Sequence, residues 1–215
     1  MIHYNFHTYY CINVQCVMWI KVLKDKVSME STPYQAVPFK APEGSEIMGR
    51  VVKSYFDNLE SDMFLPVLER HNLRPNEMSD DQWYPLQVYY DIDKEIYKGV
   101  NGASALVAIG KATMANLLSR TTYTTLEDYL VNGLGTIAGR SFIRNVPDSF
   151  GFVVTKIGNK HFHIKSNMPS ANESIYGSLW EACRLLKGEK ETFRINPIIG
   201  YPGNDISATF EVTWE

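Results

Sequence analysis

Apolar positions in the first half of the chain recur at the spacing typical of helices. Between residues 45 and 59 they return every third or fourth residue, which predicts a helix that begins after Gly44 and buries one face. A second helical segment is predicted over residues 62–71. Residues 104–119 are rich in Ala, Leu, Met and Val and carry few charges, which predicts a helix buried on most of its surface.

Two further helix starts are indicated by a hydroxyl residue that is followed three positions later by Glu or Gln. Ser79 and Gln82 predict a helix that runs to about residue 98, in which Pro85 either delays the start or causes a kink. Thr124 and Glu127 predict the start of another helix. The N-terminal half of the chain is therefore expected to form a layer of helices.

From Phe150 onward the period of the pattern changes to two. Apolar and polar residues alternate, Gly158 and Asn159 predict a tight turn with positive φ angles, and the alternation returns as far as Ile164. A helix capped by Ser170 and two strands, over residues 192–198 and 208–214, are predicted to follow. This order indicates an α+β fold, with a helical N-terminal layer packed on a small antiparallel sheet formed mainly by the C-terminal half.

The first 28 residues differ in character from the rest. Their apolar run, over residues 10–23, is interrupted by Asn13, Gln15 and Lys21, and is too short and too polar for a membrane span. The segment also lacks the basic start and the small-residue cleavage site of a secretory signal. We interpret residues 1–28 as an N-terminal extension that need not belong to the fold, and residues 29–215 as a single α+β domain of the ligand-binding type.

Composition narrows the class of partner. The 21 Lys and Arg residues stand against 24 Asp and Glu, for a net charge of −3, and no segment concentrates basic side chains. This argues against nucleic acid as the main partner, because a phosphate backbone is tracked by a basic surface. The three cysteines are too scattered for a disulfide framework, which favours the cytoplasm.

The residue types that carry catalysis or bind metals do not form a recognisable set in the sequence. The glycines of residues 133–139 approach a dinucleotide-binding motif, but a helix rather than a strand precedes them, so we interpret them as structural. His161 and His163 share one face of a strand, yet no other ligand stands near them in sequence, so we expect a solvent-facing pair and no metal. Cys183 is expected in the core, and the acidic cluster of Asp91, Asp93 and Glu95 on a solvated helix face. We therefore expect no enzyme.

Aromatic residues are dense over residues 83–97. Tyrosine and tryptophan suit surfaces that are half apolar and half wet, which makes this helix the best candidate for a contact surface. Trp83, Tyr90 and Tyr97 are the candidate interface residues. They would serve a homodimer or a signalling partner.

A set of short motifs follows one another in an order seen in a known family. These are Gly49 with Val52, Leu73, Tyr84-Pro85, Ile109-Gly110, the hairpin, and the closing strand over residues 208–214. The chain resembles the paralogous family of unknown function grouped in myxobacteria, a distant relative of the 4-vinyl reductase domains, the haem nitric-oxide-binding domains and the Bet3-type transport subunits. The resemblance implies an α+β fold that encloses or presents a hydrophobic small molecule and is often dimeric.

The sequence lacks the cofactor motifs of these relatives. It has no counterpart of the zinc-binding cysteine cluster of some 4-vinyl reductase domains, nor of the Tyr-x-Ser-x-Arg motif of the haem domains, and we expect no cofactor. The main hypothesis is a non-catalytic sensing domain in signalling, with Tyr89, Met114 and Tyr129 in the wall of a pocket for a small hydrophobic ligand. The alternative is a ligand-free interaction or scaffolding module that acts as a homodimer.

Overall fold

The N-terminal half of the chain forms helices of very different lengths. The computed structural model describes residues 40–56, 65–99, 101–134, 141–198 and 209–215, and the proposed extension over residues 1–28 lies outside them. The helices are α1 (Gly49–Phe56), α2 (Leu65–Arg70), α3 (Leu86–Lys98), α4 (Gly102–Leu118) and the short α5 (Leu126–Asp128), which continues as a π-helical segment, Tyr129–Leu134. No helix in these ranges is long and apolar enough to cross a membrane.

The strands of a three-stranded sheet lie before, between and after these helices along the chain. Its strands are β1 (Glu46–Met48), β2 (Trp83–Pro85) and β3 (Ile143–Arg144), in the antiparallel order β2-β1-β3. The sequence pattern placed Ile47 inside the first helix, and this is wrong, because Ile47 pairs with Tyr84 on one side and Ile143 on the other. The chain passes directly from β1 into α1 at Gly49, where a Cβ atom would lie 2.0 Å from the backbone oxygen of Ser79.

Both predicted capping boxes in this half are displaced. Helix α3 begins only at Leu86, because Pro85 ends β2 in an extended conformation, with a ψ of 128°, and occupies the N-cap position. The delayed start is one of the two outcomes that the proline predicted. In α5 the N-cap is Thr125 rather than Thr124, and its hydroxyl accepts a hydrogen bond from the backbone N–H of Asp128.

Helix α6 (Asn172–Leu186) packs against α4 at very short distance. A Cβ atom on Gly110 would lie 2.1 Å from the backbone oxygen of Ser174, and one on Gly177 would lie 2.2 Å from that of Val107. The two glycines therefore let the helix backbones touch. Only one side of α4 is buried, which corrects the prediction of burial on most of its surface.

The C-terminal half forms α6 and a four-stranded antiparallel sheet, and this confirms the predicted α+β fold. Its strands are β4 (Phe152–Gly158), β5 (His161–Ser166), β6 (Phe193–Ile198) and β7 (Thr209–Trp214), in the order β4-β5-β7-β6. The hairpin of β4 and β5 is as predicted, except that the positive φ, 51°, falls on Lys160. The inner face packs on α6 and the π-helical segment, and its most buried members are Phe162, Ile164, Phe210 and Val212.

Candidate functional site

A cavity of about 300 Å³ lies among the helices next to the four-stranded sheet. Its walls include residues of α3, α4, the π-helical segment and α6, with Ile47 of β1, Val51 of α1, Ile143 of β3 and Phe152 at the start of β4. Tyr89, Met114 and Tyr129, the residues that the sequence placed in a pocket wall, all line it. The structure thus brings together three positions from three helices, and whether they contact a ligand stays a prediction.

One wall of the cavity carries aliphatic and aromatic side chains. The Tyr129 hydroxyl donates a hydrogen bond to Sδ of Met114 at 3.2 Å, and the Tyr123 and Tyr129 rings meet edge to face with centroids 5.6 Å apart. Gly133 makes room for both rings, because a Cβ atom there would lie 2.8 Å from Tyr129 and 3.0 Å from Tyr123. This agrees with a structural role for the glycine. Single π-helical turns are often found at functional sites.

Another part of the cavity wall carries hydroxyl groups. Tyr89, Ser170, Ser174 and Ser178 line the cavity there. The side chain of Tyr89 faces the cavity, and burial in the surrounding protein raises the pKa of its phenol to about 12. These residues therefore offer neutral hydrogen-bonding groups at neutral pH.

A carboxyl group lies behind this hydroxyl wall. Asp93 on α3 is completely buried, accepts a hydrogen bond of 2.5 Å from the Tyr55 hydroxyl, and accepts a longer one of 3.4 Å from Ser170. Burial raises the pKa of Asp93 to about 7, although the bonds from Tyr55, from the backbone N–H of Ala171 and from Ser170 each lower it. The expected solvated face is therefore wrong for Asp93.

The ring of Tyr55 completes this polar cluster. It meets the Tyr89 ring edge to face, with centroids 5.3 Å apart, and is itself completely buried. We call Tyr55, Tyr89, Asp93 and Ser170 the buried polar cluster. Sequence reasoning missed it because the hydrogen-bond donors to Asp93 stand 38 and 77 positions away along the chain.

The three candidate interface residues do not share one surface. Tyr90 is only 1% exposed and lines the cavity. Trp83 is half-buried, with the guanidinium carbon of Arg144 4.4 Å from its ring centroid. Tyr97, near the end of α3, is exposed. Dimerisation through this helix stays a prediction.

Two further residues singled out by the sequence lie away from the cavity. Cys183 is buried in the core as predicted, and burial raises the pKa of its thiol to about 12, which keeps it protonated. His161 and His163 lie half-buried on the outer face of the four-stranded sheet, where strand pairing brings Glu211 beside them. No local pattern in the sequence indicates this third side chain.

Comparison with known proteins identifies the fold. No protein-family model matches the chain, and no curated protein sequence matches it significantly. Solved structures of H-NOX proteins do match. An H-NOX protein from S. oneidensis in the Fe(II)NO ligation state has 13% identity and a TM-score of 0.57, and the alignment covers 79% of this chain and 99% of that one.

Two other solved structures give the same result. A mutant Fe(II) unliganded H-NOX protein from K. algicida has 12% identity and a TM-score of 0.57 over 79% of this chain and 97% of that one. An oxygen-binding H-NOX domain related to soluble guanylate cyclases has 11% identity and a TM-score of 0.55 over 78% and 92%. The resemblance to the haem nitric-oxide-binding domains is thus confirmed at the level of the fold, while the relation to the myxobacterial family stays a prediction.

Proposed function

We propose that this chain is a non-catalytic sensing or binding domain for a small, uncharged hydrophobic molecule. The observation that carries the proposal is the cavity of about 300 Å³, which has the size of a small ligand site and a wall that is mostly aliphatic and aromatic. The fold supports it, because oxygen-binding and Fe(II)NO-ligated H-NOX proteins share that fold. A role in signalling through a partner protein is part of the same proposal.

The lining of the cavity restricts the chemistry of the ligand. Among the described residues, no charged side chain lines the cavity, and a charged ligand would lose its hydration there without a partner. The hydroxyl groups of Tyr89, Ser170 and Ser174 lie close together, because Tyr89 hydrogen-bonds with both serines. We therefore propose a ligand with an apolar body and one polar end, such as a hydroxyl or carbonyl group, that is directed toward these hydroxyls.

Haem does not fit the part of the lining that the structure describes. Haem iron is usually held by a His or Cys side chain, and neither lines the cavity in the described ranges. Burial also raises the pKa of Tyr129, which disfavours the phenolate that could replace them as a ligand. Lys and Arg, which would pair with the two propionate groups, are absent from the same lining. The ligand proposed for the cavity is therefore not haem.

A neutral fluorescent probe tests whether the cavity binds ligands. N-phenyl-1-naphthylamine should bind the full chain with one site per molecule, since it is apolar and has a single polar N–H group. Met168→Trp should weaken this binding by roughly tenfold or more, because the indole would fill part of the cavity. The matched control is Val153→Trp, which adds the same ring on the outer face of β4, at a residue that is 50% exposed.

The two variants separate the possible outcomes. Loss of binding in Met168→Trp with unchanged binding in Val153→Trp would support the cavity as the ligand site. Equal binding by both variants and the parent chain would overturn the proposal. Native mass spectrometry of protein purified from its own host would then identify the natural ligand by the mass that it adds to the chain.

A further inference from the structure

Three side chains of the kind that bind metal ions converge on the outer face of the four-stranded sheet. His161 and His163 come from β5 and Glu211 from β7, and one ligand atom of each lies within 4.8 Å of the other two. Nε2 of His161 is 2.9 Å from Oε1 of Glu211, and the two imidazole centroids are 5.6 Å apart. We call these residues the outer-face cluster, and none of them lines the cavity.

The pairing of the strands fixes this arrangement. His163 stands directly opposite Glu211. His161 lies two residues away on β5 and therefore on the same face, since alternate residues of a strand share a face. On the other face the intervening Phe162 and Val212 are completely buried. A slip by one residue would expose these apolar side chains, so the register and the outer-face cluster are held together by the core.

A neighbouring amide also orients the carboxylate. Asn196 on β6 lies opposite Glu211 and donates a hydrogen bond of 3.3 Å to Oε2, while Oε1 is the atom near His161. Hydrogen bonds of this kind commonly orient the ligands of metal sites. One oxygen of Glu211 is thus engaged by Asn196, and the other lies 2.9 Å from Nε2 of His161.

The donor set and its spacing suit a zinc ion. Two imidazole nitrogens and one carboxylate oxygen form a known three-ligand zinc set that leaves a fourth position open. Bond lengths of about 2.0–2.2 Å in a tetrahedral site place ligand atoms about 3.3 Å apart. The ligand atoms of these three side chains already lie within 4.8 Å of one another. The strand pairing supplies the third ligand that the histidine pair lacks in the local sequence.

We propose that His161, His163 and Glu211 form a Zn²⁺ site on the outer face of the sheet, with the fourth position open to water or to a donor from another molecule. This site does not depend on the ligand cavity or on the function proposed for it. Binding would replace the hydrogen bond between His161 and Glu211 by two metal bonds. It would tie β5 to β7 through their side chains.

Zinc titration of the full chain tests the site. Competition with a chromogenic chelator should give one tight equivalent, and Co²⁺ in place of Zn²⁺ should give the visible absorption bands of tetrahedral coordination. The N-terminal segment carries four other potential ligands, His3, His7, Cys11 and Cys16. They are replaced by Gln and Ser in every protein compared, so that they cannot supply the signal.

Three variants in that background decide the result. His163→Gln and Glu211→Gln should each weaken zinc binding by roughly tenfold or more and abolish the Co²⁺ bands, since each removes a ligand. His71→Gln is the matched control, because it removes a half-buried histidine that pairs with Asp91 away from the sheet. Absence of a tight equivalent, or unchanged affinity in both ligand variants, would overturn the proposal. Two ligand variants are used so that a folding defect in one leaves the test intact.

Discussion

The buried polar cluster and the outer-face cluster each contain one carboxyl group, and the pKa values of the two groups are shifted in opposite directions. Asp93 is completely buried, and the loss of hydration raises its pKa to about 7. Glu211 is about one-third exposed, and its pKa is lowered, first by the hydrogen bond from Asn196 and further by His161 and His163. Depth of burial thus decides which protonation state the fold stabilises.

The number of hydrogen bonds does not explain this difference. Asp93 accepts bonds from Tyr55 and Ser170 and from the backbone of Ala171, yet its pKa is still raised. Glu211 accepts an amide bond from Asn196 and one further contact from His161, and its pKa is lowered. Each difference between folded and unfolded pKa values is also a dependence of stability on pH, and the two signs are opposite.

The largest expected effect comes from Asp93. Because its pKa is higher in the folded state than in the unfolded state, its contribution to stability is fully present below about pH 4 and is lost as the pH rises through about 7. The free energy of unfolding should fall by up to about 4 kcal/mol over this interval. Urea unfolding of the parent chain and of Asp93→Asn at steps between pH 4 and pH 8 measures it.

The readout is the difference between the two pH profiles, because the asparagine changes hydrogen bonding at every pH but does not titrate. The parent chain should lose stability relative to Asp93→Asn as the pH rises. Parallel profiles would mean that Asp93 has the same pKa in the folded and unfolded states. The comparison of the two clusters would then be wrong.

The second effect tests the hydrogen bond from Tyr55. Tyr55→Phe removes the hydroxyl that donates to Oδ1 of Asp93 and should cost about 2 kcal/mol at pH 8, where the carboxyl group is mostly ionised. The cost should be smaller at pH 5, because a neutral carboxyl group makes a weaker bond with this donor. Tyr90→Phe is the control, since it removes the hydroxyl of a neighbouring buried tyrosine, whereas the hydrogen bonds to Asp93 come from Tyr55, Ser170 and the backbone of Ala171. An equal cost of Tyr55→Phe at both pH values would contradict the idea that Tyr55 binds the ionised carboxyl group of Asp93 more strongly than the neutral one.

The C-terminal hairpin was predictable from sequence because its signal is local. Val153 points outward and Phe162 inward, as the period of two requires. The short sheet was not predictable, because strands of two or three residues show no period and Ile47 finds its partners Tyr84 and Ile143 far along the chain. Propensity near Ile47 favoured a helix, and tertiary pairing overrode it.

The candidate sites also contain residues that the sequence could predict and residues that it could not. Tyr89, Met114 and Tyr129 could be predicted as cavity-lining residues because each belongs to a predicted apolar or aromatic helix, while their contact with a ligand stays a prediction. Asp93 could not be placed, because a carboxyl group becomes buried only where distant donors meet it, and sequence spacing carries no record of them. Glu211 stands 50 positions from His161 and is joined to it only by strand pairing.

The smallest expected effect comes from Glu211. Its pKa is lowered in the folded state, so its contribution to stability is present above the unfolded pKa and is lost as the pH falls through the folded value. In Glu211→Gln, measured with a chelator present to exclude metal, the fall in the free energy of unfolding toward acid pH should be smaller than in the parent chain. The difference should be less than about 1 kcal/mol, because solvent screens a group that is one-third exposed. Thr213→Ser, a conservative change of the next outward-facing residue on β7, is the control.

The two variants should change the pH profile of stability with opposite signs. Loss of Glu211 should lower the free energy of unfolding more near neutral pH than in acid, whereas loss of Asp93 should remove a destabilising contribution that grows toward neutral pH. Profiles of the same sign for the two variants would show that burial does not separate the clusters.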